Sequence, residues 1–537
     1  MKKFILAVLL LASGTILAQE DAWVYFNDKP DTEFYLDNPL EMLSQKALDR
    51  RTNQGIELDE LDVPVHQDYI DAITNADGIT VMAKSKWMNA LHIRGTQEDI
   101  SALSDLEFVL GVEFANKLLN TSGRGVQQQQ TTVTNKFLQT EVDFDYGISS
   151  NQITMLSGED LHQQGYTGAG ITIAVLDAGY PGVDTAAPFQ RLFNNNLILG
   201  TYDFIEDTEN AYTADSHGTI ILSTIGGYAE GELVGTAPDA FYYLFRTEDA
   251  ESENPVEESY WVEAAEYADS LGVDIINTSL GYFDYDNPNY NYTYEDIDGQ
   301  TAFISRGAEI AFSRGMICVT SAGNSGNSEN PNIGVPADAS TTLAVGAVNA
   351  EETRSPFSSI GPTSDGRIKP DVMARGVATI ASNTEGEIIP VSGTSLSAPV
   401  LSGIVACLWQ ALPDMTNAEI VALIKQASDR YDNPDNQYGY GIPNFALALA
   451  TASTIINNDN IQFKLYPNPT SNTINITPLP NGQVGKLYIY NTIGQLVLQD
   501  ELSGNKLSVS LTTLASGLYS YQLNVNGKIQ LGKLIKN

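Results

Sequence analysis

ITIAVLDAGYPGVD, residues Ile171 to Asp184, is the stretch whose reading decides the fold. Its opening run, Ile171 to Leu176, is almost continuously apolar and lacks the polar alternation of a half-exposed strand. A run of that kind suits a strand covered on both faces, as in a parallel sheet. The strand delivers Asp177 at its end, followed by Ala178 and Gly179. A carboxylate placed there stands at the carboxyl edge of the sheet, where sites on open α/β sheets form.

Outward from that strand, similar runs recur between about Phe137 and Ser453: NLILGTY (Asn196–Tyr202), FYYLFR (Phe241–Arg246), VDIINTSL (Val273–Leu280), MICVTSAG (Met316–Gly323) and TTLAVGAV (Thr341–Val348). Helical stretches such as Glu257–Leu271 and Thr301–Arg314 lie between them. Strand–helix–strand repetition predicts an α/β domain over 137–453, built on a doubly wound, mostly parallel sheet.

The flanks read differently. Lys2 and Lys3 precede an apolar run from Phe4 to Leu11 and small or neutral residues up to Ala18, the order of a secretory signal peptide over 1–18. That run is too short for a membrane anchor, and no later segment reads as a span, so no transmembrane anchor is expected. Residues 19–118 predict a small α/β domain: strands at Trp23–Asn27, within Ile79–Ile93 and at Glu107–Phe114, with helices at Pro39–Arg51 and Thr96–Leu106. The glutamine-rich NTSGRGVQQQQTTVTNK, Asn120–Lys136, is a connector, placed at 119–136 and open to proteolysis. After the polar STIINNDN, residues 463–537 hold short alternating strands with Gly and Asn turns, which predict a small all-β sandwich.

Composition narrows the function. The chain has 537 residues, enough for about three folding units at ~150 residues each. Acidic residues outnumber basic ones 67 to 28, for a formal net charge of -39. Such a chain repels phosphate backbones, so no nucleic-acid partner is expected. Two cysteines, Cys318 and Cys407, exclude a disulfide framework and a multi-cysteine zinc site; both lie in apolar stretches and are expected as buried free thiols rather than one bridge.

Three further motifs carry chemistry. DSHGTIILSTIGG (Asp215–Gly227) places His217 at the opening of a helix. VSGTSLSAPVLSGIVACLW (Val391–Trp409) turns at Gly393 and Thr394 and starts an apolar helix at Ser395. SAGNSG (Ser321–Gly326) places Asn324 in the turn after a strand. A serine hydroxyl becomes nucleophilic when a base takes its proton, and histidine is the natural base near neutral pH. A buried carboxylate fixes the tautomer and stabilises the imidazolium. At the helix start, the serine's free N–H and the helix dipole favour a developing oxyanion, and an Asn amide supplies a second donor. The remaining domain histidine, His162, has no motif around it. Taken alone, each residue is also compatible with a structural role: a strand-end cap, a satisfied surface histidine, a helix N-cap.

D-x-G, H-G-T and G-T-S-x-S-x-P, in Asp–His–Ser order, resemble the subtilase family over residues from about 145 to 450, together with GTAP (Gly235–Pro238), NTSLG (Asn277–Gly281) and YGYGIPN (Tyr438–Asn444). The resemblance implies a serine endopeptidase, acting through an acyl-enzyme, with Asp177 as orienting acid, His217 as base, Ser395 as nucleophile and Asn324 as oxyanion donor. It also implies that Ser279, Leu280 and Gly281 and Ser321, Ala322 and Gly323 pair with an extended protein or peptide substrate. Ala178 stands where the family commonly has Ser or Thr, and Leu396 where Met is common. The 19–118 domain resembles the propeptide of such peptidases, which makes the chain a zymogen bound by its own propeptide and cut within 120–136. The tail resembles a type IX secretion sorting domain through LYPNPTSNTINI (Leu465–Ile476), YNTIGQLV (Tyr490–Val497) and SGLYSYQL (Ser516–Leu523), followed by the basic end GKLIKN. Secretion machinery is then a partner, and the expected destination is the periplasm and then the cell surface or medium. Competing readings are an inactive scaffold used for binding, a sedolisin-type peptidase with Glu as base, and, for the tail, an adhesive sandwich. No cofactor is required; calcium as a structural ion is an expectation for the oxygen-rich loop Tyr282–Gln300.

Overall fold

The structure is a computed structural model that describes residues 19–120, 144–459, 464–477, 484–491, 496–503, 507–525 and 528–537. The signal-peptide reading of 1–18, and the connector beyond Asn120, lie outside the described residues. The chain divides into two compact units, Met1–Ala450 and Thr451–Asn537.

At the start of the first unit, β1 (Gln19–Phe26) is followed by α1 (Gln45–Asn53), α2 (Gln67–Thr74), β2 (Thr80–Ser85), β3 (Ala90–Thr96), α3 (Gln97–Ala102) and β4 (Val109–Phe114). The strands form an antiparallel sheet in the order β2-β3-β1-β4. Val24, Phe26, Leu91, Ile93 and Phe114 pack with Ile73 of α2 and Ile100 of α3 into a small core. Thr96 caps α3 as its sequence predicts, its Oγ1 accepting from the Asp99 amide at 3.2 Å. The single helix predicted over Pro39–Arg51 is broken. A 3-10 turn covers Pro39–Glu41, and a new helix starts after Ser44, whose Oγ accepts from the Ala47 amide. A serine able to cap orphan amides makes a fresh start more favourable than continuation.

The larger part of this unit runs β5 (Thr172–Asp177), β6 (Ile198–Asp203), α4 (His217–Gly226), β7 (Phe241–Arg246), α5 (Val256–Leu271), β8 (Ile275–Thr278), α6 (Phe303–Ser313), β9 (Ile317–Ser321), β10 (Leu343–Val348), β11 (Val372–Arg375), α7 (Thr394–Ala411), α8 (Asn417–Gln426) and α9 (Phe445–Asp459). Seven parallel strands form one sheet in the order β11-β10-β9-β8-β5-β7-β6. Six of them are the predicted runs; β11 is a four-residue strand too short to show a pattern. One face, with Ala174, Leu176, Phe245, Ile276, Cys318 and Ala344, packs on α5 and α6. Alternation turns their neighbours to the opposite face, where α4 and α7 pack against the strands and each other. Both faces are covered, which explains why these strands lack polar alternation.

Helix α7 corrects one expectation. By length and hydropathy it could cross a membrane, but 83% of that window is buried inside the protein, as befits a central core helix. Helix α9 also runs to Asp459, through most of the polar stretch that reads as a separator. Cys318 and Cys407 are both buried and free.

The second unit holds β12 (Lys464–Tyr466), β13 (Thr473–Thr477), β14 (Val484–Tyr490), β15 (Leu496–Ser503), β16 (Ser508–Ser510), β17 (Gly517–Val525) and β18 (Lys528–Lys536). They form antiparallel sheets in the orders β12-β13-β16 and β15-β14-β17-β18. Ile474, Ile476 and Val509 of the first meet Leu487, Ile489, Leu523 and Leu534 of the second in one apolar layer. This is a β-sandwich.

Candidate active site

Strand β5 is buried along its whole length and ends at Asp177, which is 1% exposed. Across the sheet's carboxyl edge, α4 starts at His217. Its close approach requires Gly218: a Cβ there would stand 2.4 Å from Gly179 O and 3.0 Å from Asp177 Cβ. The two side chains meet, His217 Nδ1 to Asp177 Oδ1 at 2.7 Å. Ala178 N–H also donates to Oδ1, whereas Oδ2 is buried without a hydrogen-bond partner. The Asp177 charge holds the His217 imidazolium above its ordinary pKa; burial opposes this, and the Asp177 hydrogen bond and the Asp215 charge add to it. Sequence reasoning missed Asp215, whose Oδ1 accepts the His217 N–H at 2.8 Å.

Ser395 lies in the first turn of α7 at 9% exposure. Its carbonyl accepts from Ser279 Oγ at 2.9 Å, tying the helix start to the end of β8. Among the described residues no hydrogen bond joins its hydroxyl to His217, a looseness common in sites without substrate. Asn324 lies in the turn after β9. Its Oδ1 accepts from Thr394 N–H at 2.9 Å and Thr394 Oγ1 at 3.0 Å. Gly323 N–H donates in turn to Thr394 Oγ1. This orientation commits the amide oxygen and leaves the Nδ2 donors free of protein partners among the described residues.

The remaining predicted residues sit on either side. Ser279, Leu280 and Gly281 leave the end of β8, and Ser321, Ala322 and Gly323 the end of its neighbour β9, the strands being in parallel register at Thr278 and Thr320. Ser279, Ser321 and Ala322 are buried, and Gly281 is exposed. His162 lies outside these motifs and is a satisfied core residue. Its ring contacts Tyr146 Oη and Thr236 O, and burial pushes its pKa down to about 4.

In the loop Tyr282–Gln300, carboxylates are spread over the loop's own turns and a neighbouring lysine. Asp284 accepts from Asn291, Asp296 from Thr293 and Lys117, and Asp298 from Gln300 and Thr301. Its tyrosines point inward, Tyr282 to Glu248 and Tyr285 and Tyr292 to Glu258. A compact carboxylate group does occur nearby, at Glu248, Glu253 and Glu257, with ligand atoms within 4.8 Å of one another. Burial raises all three: Glu253 to about 7, Glu257 to about 8, and Glu248 well above its ordinary range.

The subtilase family pattern matches residues 168–441, just over half of the chain. The chain belongs to the subtilase family. It is a subtilisin-like serine protease, a hydrolase, made with a propeptide and a sorting tail. Residues 21–134 match the peptidase S8 propeptide domain of Bacteroidota, and 464–537 match the secretion system C-terminal sorting domain. Among curated relatives, subtilisin NAT of Bacillus subtilis subsp. natto is 30% identical over 306 residues, 56% of this chain and 70% of that one. Serine protease AprX of Bacillus subtilis (strain 168) is 29% identical over 312 residues, 52% and 66% of the two chains. Among solved structures, the MycP3 protease from the type VII (ESX-3) secretion system matches at 21% identity with a TM-score of 0.45, covering 59% of this chain and 91% of that one.

Proposed function

We propose that this subtilase hydrolyses peptide bonds through an acyl-enzyme, with Asp177, His217 and Ser395 as its triad. The observation that supports it most is the hydrogen bond between buried Asp177 and His217 Nδ1, which fixes the imidazole with Nε2 as its acceptor nitrogen. His217 Nε2 takes the Ser395 proton as Oγ attacks the scissile carbonyl. The carbonyl oxygen becomes an oxyanion, stabilised by the Ser395 N–H and Asn324 Nδ2. The imidazolium then protonates the leaving amine, and water, activated by the same base, releases the acid and restores Ser395. Ser279–Gly281 and Ser321–Gly323 would flank the substrate as added strands.

The precursor is read as leaving the cell through its signal peptide and then its sorting tail, with the first cut made by the enzyme itself between 120 and 136. The reaction requires no cofactor, and calcium in Tyr282–Gln300 stays a proposal; thermal stability unchanged by chelator would remove it. Ser395→Ala tests the function directly. The purified variant precursor should stay uncut and lose at least a thousandfold in kcat on a peptide substrate. Maturation at the same place by that variant, alone in solution, would overturn the self-cleavage reading.

A further inference from the structure

The contacts of the propeptide domain with the protease body include its sheet face and a separate arm. The sheet face lies on α5: Trp23 Nε1 donates to Ser259 Oγ, and Glu266 accepts from Ser85 Oγ and the Lys86 and Trp87 amides. The arm, between β1 and α2, runs from Ser44 to Asp62 and reaches the opposite edge of the parallel sheet from the triad. Lys46 pairs with Asp274 at 3.0 Å and donates to Thr172 Oγ1, both at the entry ends of strands. Asp177 lies at the exit end of β5, about 17 Å away along a six-residue strand.

The arm is chemically fitted to that edge. Arg50 donates to Val273 O and pairs with Asp269; Arg51 donates to Arg314 O and pairs with Asp62 and Asp269. Gln54 donates to Gly315 O at 2.7 Å and accepts the Asn417 amide at 3.1 Å. Arg50, Arg51, Asp62, Asp269 and Arg314 are all buried. Each carbonyl engaged lies in the turn after α5 or α6, where helix ends leave acceptors open. Among the described residues, the ion-pair partners of Asp269 are Arg50, Arg51 and Lys86, all from the propeptide domain.

An arm so far from Ser395 cannot block the cleft. We propose that Ser44–Asp62 is a retention anchor that holds the propeptide on the protease after the connector is cut. How fast the cut propeptide departs is then set by how fast this arm leaves. Lifting the arm strips Asp269 of its buried partners and reopens the helix-end carbonyls, so departure has a large barrier. This inference rests on the zymogen reading.

Maturation of the full-length precursor tests it. Cutting is followed by gel, retention by co-elution in size-exclusion chromatography, and unmasking by hydrolysis of a small chromogenic peptide. In the wild type, cut propeptide should co-elute and activity should lag behind cutting. Arg50→Ala/Arg51→Ala should shorten the lag at least tenfold and abolish co-elution. Lys46→Ala/Gln54→Ala, which leaves the buried charges intact, should shorten it about threefold, and it decides the matter if the arginine variant does not fold. Unchanged lag and co-elution in the folded variants would overturn the anchor. If the wild type shows no peptidase activity, that failure belongs to the protease reading. Co-elution after cutting the connector with an added protease then still tests the anchor.

Discussion

Asn324 and Thr394 are latched to each other across the mouth of the site: the Thr394 amide and hydroxyl both donate to the single oxygen Asn324 Oδ1. The two residues are 70 positions apart in the chain, yet the latch commits the amide oxygen and leaves Nδ2 without a protein partner among the described residues. On the proposed mechanism this makes Thr394 a positioning residue for the oxyanion donor.

Thr394→Val should therefore keep the fold and lose the hydroxyl half of the latch. The expected result is a fall in kcat of about tenfold with little change in KM, since the donor matters chiefly in the transition state. Thr394→Ser should restore most of the rate. Asn324→Ala should cost about 2.7–4 kcal/mol of transition-state stabilisation. Equal rises in KM for all three variants would point to substrate binding instead.

On the proposed mechanism the acid limb of kcat/KM should report His217. Its pKa is raised by Asp177, and the base works only when neutral, so activity is lost as pH falls through a midpoint above the ordinary value of about 6.5. Asp215→Asn keeps an oxygen for the His217 N–H but removes a charge, so it should move that midpoint down by a few tenths of a unit. A pH-rate profile of both enzymes checks this; an upward shift would contradict it.

Glu253 has a folded-state pKa of about 7, above the unfolded value of about 4.5 because burial and the Asp286 charge favour its protonated form. Its cost to stability is absent below the unfolded value and complete once pH exceeds the folded one. Glu253→Gln should thus stabilise the protein by about 1–2 kcal/mol at pH 8, after allowance for solvent screening, and by nothing at pH 4. Thermal unfolding of both forms in a Ser395→Ala background, which prevents autolysis, measures the difference.

Cys318 and Cys407 are buried, and burial pushes both thiols up, away from the reactive thiolate. A thiol reagent should label neither in the native protein and both after denaturation. Rapid native labelling would show that the core around β9 or α7 opens.

The sequence exposed the parts of this protein that repeat a local rule. Six of the seven sheet strands are apolar runs, and Asp177, His217 and Ser395 each stand at the end of a strand or the start of a helix. What it hid depends on distant contacts. The break at Ser44 follows from a cap competing with helix continuation. Asp215 and Thr394 stand inside the quoted motifs, but the sequence does not show that one holds the His217 N–H and the other Asn324 Oδ1. Arg50 and Arg51 look like ordinary solvated charges on a helix. Only the docked domain shows that both are buried.

Labelling with a fluorophosphonate, followed by mass spectrometry of the modified peptide, tests the central claim most directly. The matured wild type should carry one label, on Ser395, and His217→Ala should label at least a hundredfold more slowly because no base removes the hydroxyl proton. A label on another residue, or equal rates in the two proteins, would contradict the account.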